Sequence, residues 1–146
     1  MPGPRVTFYI VADGDERARR TYACRLVEKA YLQDHRVVVR LGSGQDVDDF
    51  DELLWRFSDR SFVPHEVAGG DAPSTAPVLL TSDEDPPGPA DVLVNLADDV
   101  PPWFARYARV AELVGGADAS REAGRGRFRY YREQGLEPET HTLGAG

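Results

Sequence analysis

Arg121, Arg125, Phe128, Arg129 and Arg132 recur at i, i+4, i+7, i+8 and i+11. On a helix this spacing puts four guanidiniums and one aromatic ring on a single face. Guanidinium forks pair bidentately with carboxylates, and a ring beside them helps to line an apolar pocket. Together they suit an acidic peptide that ends in a bulky apolar residue. The plainer alternative is a charged face left in water, which is what most such runs are. The far side of the same helix carries Ala119, Ala123, Tyr130 and Tyr131, expected to pack on a sheet.

A second pattern lies near the middle of the chain. Val47, Phe50, Leu54 and Phe57 fall at i, i+3, i+7 and i+10, an apolar helical stripe. Trp55 lands at the stripe's edge, and Phe62 follows in a turn closed by Pro64. A Trp at a helix edge beside a loop Phe can offer apolar surface to a partner. The alternative is that both rings cap the local core. His65 next to that proline has no evident second ligand and reads as structural. Cys24 reads as a small buried thiol, since no neighbour would activate it.

Enzymatic chemistry has thin support. Asp13 and Asp15 follow the first predicted strand, where a Mg²⁺-dependent phosphotransferase would place its acids. No lysine follows any later strand to complete such a site. No G-x-G-x-x-G follows the first strand, and G-x(4)-G-K-[ST] is absent. The acids between Asp46 and Glu52 suit a helix N-terminus. No catalytic residue, cofactor or metal is therefore expected.

The elements that must position these residues follow from the same sequence. Arg5 to Val11 is a β-branched and aromatic run that predicts a buried strand, and Asp15 can cap the helix after it. Arg36 to Leu41 predicts a second strand, and Gly42-Ser43-Gly44 turns into a second helix. Strand, helix, strand, helix implies a βαβ unit and a mainly parallel twisted sheet with helices on both faces, an α/β Rossmann-like fold. Two short apolar runs, Pro77 to Thr81 and Asp91 to Leu96, suit central strands. Arg109 to Val114 fits a helix or a strand. The last helix should run from Asp118 to about Gln134 with Gly135 as its cap. Residues from about 136 to 146 read as a loose tail on a single domain spanning 1–146.

Composition narrows the function classes. One cysteine and the absence of a signal-like or membrane-spanning apolar run suit a cytoplasmic protein. A net charge of -8 argues against direct duplex DNA binding, because the phosphate backbone would repel the average surface. Between Arg121 and Arg132 stand five arginines and one glutamate, a local basic site on an acidic chain.

The run from Asp51 to Gly69, D-E-L-L-W-x-F-x(3)-S-F-V-P-H-E-x-A-G, resembles the chi subunit of bacterial DNA polymerase III, an accessory protein of the clamp-loader complex. The likeness continues through Thr7 to Ile10, Ala23 to Ala30, Ala76 to Val78, Asp91 to Leu96 and Arg125 to Arg132. It favours a strand at Arg109 to Val114. It implies a non-catalytic subunit that binds the acidic C-terminal tail of the single-stranded-DNA-binding protein (SSB). Carried over by position, the tail site would be Val114, Arg121, Arg125, Phe128 and Arg129. Trp55, Phe62 and Pro64 match the surface that holds the psi subunit, or in some bacteria an XPD-like helicase. Two features depart from the family pattern. Gly124 and Gly126 each cost a helix about 1 kcal/mol relative to alanine, and Arg121 and Arg129 stand where lysine is frequent.

Overall fold

The valine-rich and aromatic stretches do become strands, and they lie side by side in one sheet. The structure, a computed structural model, describes residues 3–12, 15–60, 62–68, 76–82, 84–86 and 91–143. Its strands are β1 (Arg5–Val11), β2 (Val37–Arg40), β3 (His65–Val67), β4 (Val78–Thr81), β5 (Val92–Asn95), β6 (Arg109–Val114) and β7 (Glu139–Leu143). The helices are α1 (Glu16–Leu32), α2 (Gly44–Arg56) and α3 (Asp118–Glu133), with a 3-10 turn at Phe104–Arg106. All seven strands form one sheet in the order β3-β4-β2-β5-β6-β1-β7, and every pairing is parallel. The expected α/β Rossmann-like architecture is what the chain adopts.

Alternation along the strands divides the core into two layers, since successive side chains point to opposite faces. On one face Val37, Val39, Val92 and Val94 meet Ala23, Cys24 and Val27 of α1 and Phe50 and Leu54 of α2. On the other, Phe8, Val38, Leu93 and Val110 meet Phe104, Tyr107 and Tyr131. The helices start where their caps dictate. Asp15 accepts from the Ala18 N–H at 2.9 Å, and Ser43 accepts from the Asp46 N–H at 3.1 Å. Gly135, at φ +87°, ends α3 in the left-handed conformation that glycine adopts without strain.

Three expectations need correction. The stretch after Gly135 is not a loose tail throughout, because Glu139–Leu143 pairs with β1 as an edge strand; residues 144–146 lie outside the described residues. His65–Val67, directly after the turn that Pro64 closes, is a short edge strand where no strand was expected. The sheet-facing side of α3 is Gly124, Arg127 and Tyr131, whereas Ala119 is exposed and Ala123 and Tyr130 are half-buried. The buried side is set by a partner on β6, Glu112, which a count of apolar residues cannot reveal.

Candidate peptide-binding groove

Glu112 has no exposed surface and is met by polar side chains from β5 and α3. Its carboxylate accepts from Arg127 Nε at 2.7 Å, Tyr131 OH at 2.6 Å and Asn95 Nδ2 at 3.0 Å. Burial pushes the Glu112 carboxyl up, opposed by the Arg127 charge and the hydrogen bonds. Arg127 also donates to the Asp98 and Leu113 carbonyls. With two of its residues tied to one carboxylate, α3 can take only one rotation about its axis. Gly124 adds close approach: a Cβ there would stand 2.8 Å from Val114 Cγ2, so only glycine lets the helix sit this near β6.

That rotation turns Arg121, Arg125 and Phe128 toward the sheet edge. A groove of about 340 Å³ opens there, between α3 and the C-terminal halves of β1 and β7. Phe8, Ile10, Val114, Gly124 and Phe128 give it an apolar floor, and Thr140 and Thr142 of β7 form its outer wall. Phe128 is half-buried, its ring 5.3 Å from that of Phe8. Arg125 reaches Glu122 at 3.0 Å, an exposed pair that can reopen. Among the described residues Arg121 has no carboxylate partner. The structure thus brings Val114, Arg121, Arg125 and Phe128 to one concavity. Arg129 is exposed on the solvent side of α3 and does not line it.

The other expected surface lies at the opposite end of the strand order. Trp55 on α2 is 46% exposed and Phe62 is 68% exposed, their rings 5.2 Å apart. Pro64 beside them is half-buried. His65 supports the pair from beneath, 4.3 Å from the Trp55 ring. Its Nδ1 lies 2.7 Å from the Val63 carbonyl and its Nε2 2.7 Å from Asp51. His65 is structural, as its context suggested.

Nothing resembling a metal centre is assembled: no group of three or more His, Cys, Asp or Glu converges among the described residues. Asp15 serves as the α1 cap, and Asp13 lies outside the described residues. Cys24 is fully buried and its thiol is pushed up to about 12 by burial. No helix among the described residues is long and apolar enough to cross a membrane.

The family model described as DNA polymerase III chi subunit, HolC, matches residues 3–139. The chain belongs to the chi subunit family of DNA polymerase III. It is 40% identical over 139 residues to the DNA polymerase III subunit chi of Pseudomonas aeruginosa, covering 95% of this chain and 96% of that one. It is also similar to the chi subunits of Haemophilus influenzae, at 24% identity over 94% of this chain and 96% of the relative, and of Escherichia coli, at 25% over 93% and 96%. Membership in the chi family therefore spans nearly all of both partners in each comparison.

Sequence reasoning named Val114 and Phe128 but missed the rest of the groove's floor and its outer wall. Phe8 and Ile10 were visible only as strand residues. Thr140 and Thr142 carry a weak β-branched alternation that the polar neighbours Glu139 and His141 obscure.

Proposed function

We propose that this chain is a non-catalytic accessory subunit of the DNA polymerase III holoenzyme, acting in the cytoplasm as an adaptor between two proteins. The groove beside Phe128 takes the acidic C-terminal tail of SSB. Its apolar floor accepts the bulky terminal side chain, while Arg121 and Arg125 hold carboxylates at the rim, with Arg129 adding charge from the adjoining surface. The surface of Trp55, Phe62 and Pro64 buries apolar area against the psi subunit, which links the chain to the clamp loader; an XPD-like helicase is the competing occupant of that surface. The observation that carries this reading is one concavity with an aromatic floor and two guanidiniums at its rim, on a chain of net charge -8.

The tail carries negative charge, so affinity should fall as salt rises. Titrating a tail peptide into the protein at two ionic strengths, with Arg125→Ala alongside, tests this. Weaker binding in high salt and in the variant is expected. Equal binding in every sample would remove the reading.

A further inference from the structure

Strand β7 borders two concavities, not one. Its even-numbered residues Thr140 and Thr142 face the groove beside Phe128. Its odd-numbered residues Glu139 and His141 face a second groove, of about 190 Å³, on the α1 side of the sheet. Arg5 from β1, Lys29 from α1 and Arg109 from β6 converge on that second groove. Arg5 is held by Glu139 in a two-pronged pair, both contacts at 3.2 Å. Neither Lys29 nor Arg109 has a carboxylate partner among the described residues. The His141 ring stacks on Tyr9 at 5.7 Å and 19°, which fixes it as part of the groove wall. Three fixed cations against one carboxylate, on a chain of net charge -8, is a local excess built from four separate elements.

β7 is the last strand on that side of the sheet, and it lines both grooves, as β1 beside it does. Neighbouring strands lie about 4.8 Å apart, so Arg109 on β6, two strands in, stands about 10 Å inside that edge. Arg109 pairs with Arg5 at the start of β1, whereas the groove beside Phe128 lies along Phe8 to Ala12, so a chain joining the two sites over the edge needs on the order of eight to ten extended residues at roughly 3.3 Å each.

We propose that the groove of Lys29 and Arg109 is the upstream subsite for the segment whose terminus occupies the groove beside Phe128. The bound chain crosses the β7 edge, and carboxylates preceding its apolar end pair with Lys29 and Arg109. This rests on the reading above that the Phe128 groove takes an acidic terminus. It adds that length and acidity upstream of that terminus are read by a separate face of the sheet.

Calorimetry on the full chain with two peptides tests this: an acidic peptide of about ten residues ending in phenylalanine, and its last four residues alone. The Lys29→Ala/Arg109→Ala double variant should weaken the long peptide about fivefold to tenfold, the scale of two exposed ion pairs. It should leave the short one within about twofold. Glu139→Gln, which removes the groove's carboxylate, should tighten the long peptide only. If the double variant binds both peptides as the unaltered chain does, or loses both equally, the upstream subsite is wrong while the terminal groove stands. If neither peptide binds the unaltered chain, or Arg125→Ala affects neither, both readings fall. A short single-stranded oligonucleotide whose binding alone depends on Lys29 and Arg109 would overturn the peptide in favour of phosphate.

Discussion

Arg127 Nε stands 2.7 Å from Glu112 Oε1, with 4% of one side chain and none of the other exposed. A pair buried this deeply is stabilising only while both members remain, because either ion alone is left unsolvated and uncompensated. Arg127→Met should therefore destabilise the chain by roughly 3 to 5 kcal/mol in urea denaturation. Adding Glu112→Leu should recover part of that loss. A single variant as stable as the parent would show that the pair does not hold α3.

The two glycines of α3 should respond in opposite directions. At Gly126 an added Cβ meets nothing within 4 Å, so Gly126→Ala should stabilise by up to about 1 kcal/mol through helix propensity. At Gly124 the Cβ would collide with Val114. Overpacking there costs about 1 to 3 kcal/mol, which outweighs the same propensity gain. Gly124→Ala should be less stable than the parent, and should weaken any ligand of the adjoining groove. Thermal melts of both variants decide it.

Cys24 should be silent to thiol reagents at neutral pH. With burial raising the thiol from 9.0 to about 12, the thiolate is scarce in the folded chain. The folded state binds this proton more tightly than the unfolded state. Its contribution to stability is thus complete below pH 9 and is lost as pH climbs toward 12. Labelling with a disulfide reagent at pH 8 should need denaturant. Cys24→Ala should flatten the alkaline side of the stability profile. Rapid labelling of the native protein would contradict both statements.

Phe62 and Trp55 are both exposed, yet they differ in what lies behind them. Trp55 packs on His65, which is itself anchored to Asp51. Phe62 leans only on Trp55 among the ring contacts of the described residues. Phe62→Ala should cost less than about 1 kcal/mol, and Trp55→Ala more. Both should weaken the partner of that surface in a pull-down. A large stability loss in Phe62→Ala would mean that its ring belongs to the core.

The sheet was largely legible because its strands are runs of valine and leucine, and the helices because their caps and apolar stripes are unambiguous. What escaped shares one physical origin. β7 reads Glu-Thr-His-Thr-Leu, an edge strand with water on both sides, so no apolar alternation marks it. β3 is three residues long and begins with a histidine buried by hydrogen bonds, not by hydrophobicity. Arg127 entered only the charge count between Arg121 and Arg132, with no side of the helix assigned to it. Its inward turn depends on Glu112, whose partnership no spacing within α3 could show. Spacing left open whether Trp55 and Phe62 cap the core or face outward, and the structure exposes both.

The first strand of this chain touches only the last two. Val6 pairs with Val110, and Thr7 with Glu139. While the ribosome is still making the middle of the protein, β1 has no neighbour to bond with, and its Phe8 face has no helix to cover it. Closing that long loop late is slow and leaves apolar surface open to wrong partners. The groove next to Phe8 is consequently the last part of the molecule to come into being, so a newly synthesised chain can display Trp55 and Phe62 before it can hold a peptide.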